Sequence, residues 1–230
     1  MALVSTEFDS KEALNEGFGK QILAILDAAI SEKGHASLVV SGGSTPKPLF
    51  AYLSSQTFSW HKVSITLADE RWVSDQHGDS NEKLVRENLL VDQAAAATFV
   101  SLTTADTNAV DAEVEIAKRI DAIDDHFDVL ILGMGEDGHT ASLFPCSTQI
   151  EAGLDLRRST SAIATQPTTA PHQRMSMSLA KIIKAKHIFL HLTGDKKRAV
   201  LDDALTNYSA IEKPIKAVCD NATVNLMWAQ

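Results

Sequence analysis

Short apolar runs alternate with longer stretches of helical periodicity along this chain. The pattern predicts buried strands at residues 37–40, 63–67, 127–132 and 187–193. Between Ser10 and Gly34, apolar side chains recur at near-helical spacing, and these residue types begin and end helices. Alternation of strands and helices predicts an α/β fold with a Rossmann-like, mostly parallel sheet and helices on both faces. The length favours a single domain over residues 1–230.

Weaker patterns predict further elements. They predict a helix that begins at Pro46, helices over residues 84–89 and 110–123, a helix after Gly194, and a short helix that begins within 139–144. They also predict strands at 99–102, 175–179, 214–218 and 223–228. Residues 74–81 have the polar composition of a binding loop. Residues 94–97 are predicted to be a plain connection, and residues 147–161 are predicted to be irregular.

A glycine-rich loop interrupts the apolar run within FDVLILGMGEDGHTASLFP, residues 127–145, and it presents one histidine, His139. The glycines are Gly133, Gly135 and Gly138. They allow a tight turn and match the G-x-G-x-x-G spacing of dinucleotide-binding loops. Against that use, Glu136 and Asp137 would repel a pyrophosphate, and no acidic residue ends the next apolar run to bind a ribose.

Asp137 and His139 are instead candidates for an acid–base pair. The carboxylate would hold the tautomer and orientation of the imidazole, which transfers protons near neutral pH. For most histidines a surface or packing role is the simpler interpretation. Here the preceding strand and the glycines favour a site, because parallel strands place chemistry at their carboxyl ends.

The second candidate site is the small-residue turn that follows the strand at 37–40. Its residues are Ser41, Gly42, Gly43, Ser44 and Thr45, and Pro46 begins the next helix. Unpaired N–H groups and the positive end of the helix dipole favour an anion there, whereas the simpler alternative is an N-cap alone. No Walker lysine follows the glycines, so a single phosphate group suits the turn better than a nucleoside triphosphate.

Charged residues after other apolar runs supply further candidates. Asp69 and Arg71 follow the strand at 63–67 and could contact sugar hydroxyls or a carbonyl, or form a structural ion pair. Arg174 lies between a proline-bounded loop and an apolar stretch, which suits a bidentate phosphate contact. Lysines after Gly194 stand at a strand-to-helix turn, where they can meet an anion.

Other titratable residues have simpler interpretations. The lysines at 181, 184 and 186 are typical of a solvated face, and His187 and His191 of packing or edge positions. A nucleophilic role for Cys146 is conceivable because it follows the central loop, but no local feature of the sequence lowers its pKa.

Composition narrows the class of protein. The net charge of −9 gives no broad attraction to nucleic acid or to an anionic membrane. We expect no signal peptide or membrane span, and two cysteines are too few for a disulfide framework or a zinc site. The expectation is a cytoplasmic protein with a small-molecule substrate, and the sequence leaves its oligomeric state open.

Taken together, the motifs resemble the family of 6-phosphogluconolactonases and glucosamine-6-phosphate isomerases/deaminases. The resemblance spans nearly the whole chain. The matching motifs are residues 41–46, residues 69–72 with 79–81, residues 133–145, and Gly194 with Lys197. Each motif alone is modest, but in this order they are specific.

The resemblance implies hydrolysis of 6-phospho-D-glucono-1,5-lactone to 6-phosphogluconate in the oxidative pentose phosphate pathway, without metal or organic cofactor. It implies that the turn at 41–45 holds the 6-phosphate together with Arg174 and Lys197. His139 would be the general base and Asp137 its orienting partner. Either Arg71 or the N–H groups near Gly135 and Gly138 would stabilise the oxyanion.

Two alternatives remain within the resemblance. The deaminase branch has an Asn-Glu-Pro segment after its histidine, where this chain has Leu143-Phe144-Pro145 and so lacks that carboxylate. Asp69 matches the deaminase base, so its role here could be only positional. The other alternative is a non-catalytic sugar-phosphate sensor, which would keep the phosphate turn but lose the acid–base pair, and no stretch suits a helix-turn-helix.

Overall fold

The computed structural model describes residues 2–230, and its centre is a seven-stranded parallel sheet. In chain order the strands are β1 (Leu3–Phe8), β2 (Ala36–Val40), β3 (Val63–Leu67), β4 (Asp69–Arg71), β5 (Thr98–Phe99), β6 (Val129–Leu132), β7 (Ala162–Thr165), β8 (Arg174–Met177), β9 (His187–Thr193) and β10 (Val224–Ala229). The large sheet has the order β1-β10-β9-β6-β2-β3-β5. Its central strands β2 and β6 are buried throughout, as expected for a sheet covered on both faces.

Helices flank the sheet. They are α1 (Lys11–Lys33), α2 (Lys47–Ser55), α3 (Asn81–Asn88), α4 (Glu113–Ile123), α5 (Ile150–Leu154), α6 (Leu179–Ile182), α7 (Asp195–Asn207) and α8 (Ile215–Asn221). The predicted limits of α1 are confirmed: the hydroxyl of Ser10 accepts a hydrogen bond from the N–H of Ala13 at 3.1 Å, and Gly34 has φ 83°. The predicted single-domain α/β fold with a mostly parallel sheet is also confirmed. Among residues 2–230, no helix is long and apolar enough to span a bilayer.

A second, smaller sheet was not predicted. Strands β4, β8 and β7 pair antiparallel, so that Asp69 lies opposite Ser176 and Arg71 opposite Arg174. Strand β4 could not be predicted from its residue types, because its three residues are all charged. The consequence is functional, since this sheet brings two arginines from distant parts of the chain side by side.

Two local predictions near the site are wrong. Residues 215–218 lie in α8 rather than in a strand, because Pro214 is the N-cap with helical backbone angles and the buried side chains follow helical spacing. No helix begins within 139–144; Ala141 has φ 48°, and the N–H of Leu143 donates to the carbonyl of Thr140 to close a turn. The short helix of this region is α5, inside the segment predicted to be irregular.

Other differences reflect weak or outward-facing patterns. In place of the predicted strand at 99–102, only the short strand Thr98–Phe99 pairs with the sheet. The predicted connection at 94–97 belongs mainly to a 3₁₀ helix. Edge strand β1 was missed because most of its side chains are exposed. Lys181 is buried, not solvated: its ammonium donates to Asp121 at 3.1 Å and to the carbonyl of Asp124 at 2.8 Å.

Candidate active site

A cavity of about 420 Å³ opens at the carboxyl end of the parallel sheet, where β2, β6 and β9 run into loops. It is lined by the turn at 41–46, by the loop after β6, and by side chains of the small sheet. The predicted site residues that line it are Ser41, Gly42, Gly43, Ser44, Thr45, Asp69, Arg71, His139, Arg174 and Lys197. Asp137 does not line the cavity and lies behind His139.

Asp137 and His139 form the predicted pair. Oδ1 of Asp137 lies 2.5 Å from Nδ1 of His139 and also accepts the backbone N–H of His139 at 3.2 Å. Partial burial works to raise the pKa of Asp137, but the hydrogen bonds from His139 hold that pKa below its ordinary value. An ionised carboxylate at Nδ1 keeps the proton on that nitrogen, so Nε2 is left as the basic atom.

The backbone of the loop is shaped around this pair. A Cβ on Gly135 would lie 2.2 Å from Nδ1 of His139 and 2.5 Å from Oδ1 of Asp137, so any larger residue would separate the two side chains. Gly138 has φ 81°, a conformation that favours glycine. The N–H of Gly135 donates to the carbonyl of His139, and the N–H of Gly138 donates to that of Gly135. Both N–H groups are therefore already used within the loop.

Phe144 connects His139 to the small sheet. Its ring stacks on the imidazole, with centroids 4.1 Å apart and an interplanar angle of 27°. The guanidinium carbon of Arg174 lies 5.7 Å from the centroid of the same ring. The aromatic ring limits the orientations open to the imidazole and lines the cavity between the imidazole and the guanidinium.

Ser41 fastens the turn at 41–45 to the neighbouring strand β6. The hydroxyl of Ser41 donates to the carbonyl of Ile131 at 2.9 Å, so it serves the backbone and not a ligand in this structure. A Cβ on Gly42 would lie 1.8 Å from Oδ1 of Asn81, and Gly43 has φ 94°. At the start of α2 the N–H of Lys47 donates to the carbonyl of Ser44 at 3.3 Å and Pro48 has no N–H, so the backbone N–H groups offered to an anion are those of the turn that precedes the helix.

Arg174 is a buried cation beside the cavity, with 5% of its surface exposed. Its Nη2 donates to the carbonyl of Pro171 at 3.0 Å, whereas its Nε has no partner among residues 2–230. Burial lowers the pKa of Arg174, with a smaller contribution from the neighbouring Arg71. A buried guanidinium with a free donor is suited to bind an anion.

The charged cluster after β3 divides into structural and cavity-facing groups. Glu70 is fully buried and accepts the N–H groups of Arg71, Asn81 and Glu82, so it fastens the start of α3 to β4. Burial raises the pKa of Glu70, opposed by these hydrogen bonds. Asp69 faces the cavity and accepts the hydroxyl of Ser142 at 2.6 Å.

Arg71 also faces the cavity. Its Nη1 donates to the carbonyl of Asp79 at 2.6 Å, and its buried Nε has no partner among the described residues 2–230. On the other side, the ammonium of Lys197 donates to the carbonyl of Met134. Each of these cations is held by one carbonyl and keeps further donors for a ligand.

One cluster at the rim has the composition of a divalent-metal site. Ligand atoms of His77, Asp79 and His172 lie within 4.8 Å of one another. They are already paired, however: Nε2 of His172 bonds to Oδ2 of Asp79 at 2.9 Å, and Nδ1 of His77 accepts the N–H of Asp79 at 3.1 Å. A metal would have to displace both bonds, and the cluster is explained without one as a brace between two loops.

The thiol of Cys146 differs from its sequence-based expectation. Partial burial would raise its pKa, but hydrogen bonds from Thr169 and Thr168 lower it to about 7. Sγ lies 3.2 Å from Oγ1 of Thr169. The side chain does not line the cavity, so it takes no part in the site described here.

Comparison with known proteins agrees with this geometry. The family model of glucosamine-6-phosphate isomerases/6-phosphogluconolactonase matches residues 9–228. The chain belongs to this family. A 6-phosphogluconolactonase from Neisseria meningitidis serogroup A is 39% identical over 226 residues, covering 95% of each chain. One from Pseudomonas putida is 43% identical over 192 residues, 84% of this chain and 79% of that protein.

A solved structure extends the likeness to three dimensions. The crystal structure of a 6-phosphogluconolactonase from Shewanella baltica OS155 has a TM-score of 0.96 and 41% identity, and the match covers 100% of this chain and 98% of that one. The three relatives named above, at 39% identity or more, are all 6-phosphogluconolactonases.

Sequence reasoning missed several residues of the site. Phe144 and Asn81 lie within motifs that carry the family resemblance, and both line the cavity although the resemblance implies no role for either. His191 was expected to be a packing residue; it is buried and also lines the cavity. No local signal could have found His191, because its proximity to the site depends on how three strands are ordered in the sheet.

Proposed function

We propose that this chain hydrolyses 6-phospho-D-glucono-1,5-lactone to 6-phospho-D-gluconate, the hydrolytic step of the oxidative pentose phosphate pathway. The observation that carries the proposal is the Asp137–His139 pair, bonded at 2.5 Å, beside a cavity that is also lined by the small-residue turn at 41–45 and the buried Arg174. A base and an anion site in one cavity suit a phosphorylated substrate with a reactive carbonyl. The high-identity relatives support the same activity.

The 6-phosphate would bind where three kinds of donor meet. The turn at 42–45 provides backbone N–H donors, Arg174 provides a guanidinium and Lys197 an ammonium. Ser41 would support the turn rather than contact the phosphate, because its hydroxyl proton is used by Ile131. Anchoring one end of the substrate presents the lactone carbonyl to His139 and lowers the entropic cost of the reaction.

In the proposed mechanism, Nε2 of neutral His139 takes a proton from water as the water oxygen bonds to lactone carbon C1. The carbonyl oxygen becomes the oxyanion of a tetrahedral intermediate. When this intermediate collapses, the bond from C1 to the ring oxygen breaks, and the proton on Nε2 passes to the ring oxygen to form the product hydroxyl. The new carboxylic acid then releases its proton to solvent.

Arg71 is our choice among the candidate oxyanion donors. The N–H groups of Gly135 and Gly138 are occupied within the loop, whereas Nε of Arg71 is buried and without a protein partner in the described part of the chain. A donor that meets the developing charge commonly contributes about 3 kcal/mol. Asp69 would orient the substrate by accepting a sugar hydroxyl, in line with its bond to Ser142.

The deaminase and sensor alternatives fit less well. Phe144 stacks on His139 in the segment where the deaminase branch has a glutamate, so the additional carboxylate of a ring-opening relay is missing. A sensor would not need the acid–base pair that this chain retains. We place the reaction in the cytoplasm, which two free cysteines support, and expect neither cofactor nor nucleic acid to take part.

Turnover assays distinguish these activities. The purified chain should accelerate acid release from 6-phosphogluconolactone above the spontaneous rate and leave glucosamine 6-phosphate unchanged. Turnover of the amino sugar alone would favour the deaminase. Binding of sugar phosphates without turnover of either compound would favour the sensor.

A further inference from the structure

His191 is a buried polar side chain that the proposed mechanism does not use. Only 3% of its surface is exposed, yet neither ring nitrogen has a hydrogen-bond partner among residues 2–230. One edge of the ring packs against Phe18 of α1, with centroids 5.4 Å apart. Two buried nitrogens without hydrogen bonds lower the stability of the fold. We therefore expect the working protein to bring a hydrogen-bond partner to them.

The register of the sheet shows what His191 faces. Leu190 pairs with Leu132, the last residue of β6, so His191 lies beside Gly133. On the other side of β6, β2 runs directly into the turn at 41–45. A Cβ on Gly133 would meet nothing within 4 Å, and Gly42, Gly133 and His191 all line the cavity. Gly133 therefore adds no bulk to the part of the cavity that lies between the ends of β2 and β9.

The charge state of His191 suits a neutral donor. Burial lowers its pKa to about 4, so near neutral pH the ring has one N–H donor and one acceptor. A neutral N–H can bind an anion without requiring a second buried cation near Arg174.

We infer that His191 belongs to the phosphate subsite and donates its ring N–H to a phosphate oxygen of the substrate held by the turn at 41–45. The inference rests on the proposed function for the identity of the substrate, but it concerns only the phosphate group. On this inference His191 donates an uncharged hydrogen bond to the phosphate, while Arg174 and Lys197 supply the positive charge.

The test is a His191→Phe variant, which keeps an aromatic ring against Phe18 and removes the donor. The matched control is His187→Phe, an exposed position on the same strand at its amino end. We expect His191→Phe to weaken binding of inorganic phosphate and of 6-phosphogluconate, measured by calorimetry, about 10- to 100-fold. KM for the phosphorylated lactone should rise with little change in kcat. Hydrolysis of glucono-1,5-lactone, which has no phosphate, should be unaffected.

Wild-type affinity for inorganic phosphate in a folded His191→Phe protein would overturn the inference. A measurement on the unmodified protein keeps it testable if that variant does not fold: the imidazole ¹⁵N resonances of His191 should shift on adding phosphate, and an unchanged spectrum at saturating phosphate would be equally contrary. If phosphate binding depends on His191 but the lactone is not hydrolysed, the proposed function fails and the inference stands.

Discussion

Oδ1 of Asp137 lies 2.5 Å from Nδ1 of His139, although only one residue separates the two in the chain. A side-chain contact between residues this close in sequence requires the backbone to turn sharply between them. Gly138, with φ 81°, provides the turn, Gly135 leaves space for the two side chains, and the backbone N–H of His139 bonds to the same carboxylate oxygen at 3.2 Å. The loop therefore sets the tautomer of the histidine by its own conformation.

Replacing Asp137 with asparagine should lower kcat by roughly 10²-fold or more while the protein stays folded. An amide can donate its own N–H to Nδ1, which would move the imidazole proton to Nε2 and remove the basic atom. Steady-state kinetics at pH 7.5 with thermal unfolding provides the check. Glu136→Gln is the matched control, because Glu136 is exposed in the same loop and its carboxylate bonds to Lys196. Equal activity of the two variants would end the role of Asp137.

Gly135→Ala should reduce kcat by a similar factor through geometry alone. Its methyl group would lie 2.2 Å from Nδ1 of His139, so the Asp137–His139 bond must break or the loop must shift. Gly78→Ala is the control, since a Cβ there meets nothing within 4 Å. A crystal structure and kinetics of both variants would check this account, and a fully active Gly135→Ala enzyme would contradict it.

Arg174→Ala should mainly raise KM for the phosphorylated lactone, by about 10- to 100-fold, because a charge-assisted contact with the substrate is lost. The effect on kcat should be smaller, because the proposed role of Arg174 is to bind the phosphate and not the reacting carbonyl. Arg157→Ala is the control; the Arg157 side chain is 92% exposed and pairs with Asp155. Unchanged KM in folded Arg174→Ala would remove this residue from the phosphate site.

His191 should make stability depend on pH below neutrality. Burial lowers its pKa from 6.5 to about 4, so between these values the unfolded chain binds a proton at this position and the folded chain does not. The free energy of unfolding should therefore decrease as pH falls through this window, by about 3 kcal/mol from this residue.

Urea unfolding of wild type and His191→Phe from pH 7 to 4 isolates that contribution, because other titrating groups act alike in both proteins. We expect the variant to lose less stability than wild type on acidification. Parallel stability curves would mean that His191 is not held neutral by the fold.

The sequence was most informative where structure and chemistry are local. The strand at 127–132, the glycines after it and the Asp137–His139 pair lie within thirteen residues, so their arrangement follows from turn geometry. The turn at 41–45 was predictable for the same reason, since it joins one strand to one helix. Fold class followed from periodicity alone.

Features that depend on long-range pairing were not predictable. The small antiparallel sheet joins β4 to β8 across about a hundred residues, and only that pairing sets Arg71 opposite Arg174. His191 reaches the cavity because β9 lies beside β6 in the sheet. The apolar run at 214–218 was ambiguous between strand and helix, and packing decided it.

The most direct test is acid release from freshly generated 6-phosphogluconolactone, corrected for spontaneous opening, by wild type and His139→Ala. We predict clear acceleration by wild type and a loss of about 10²- to 10⁴-fold in the variant, with an unchanged unfolding temperature. An exposed histidine, His126, replaced in the same way should leave the rate unaltered. A folded His139→Ala protein that hydrolyses the lactone as fast as wild type would contradict the account.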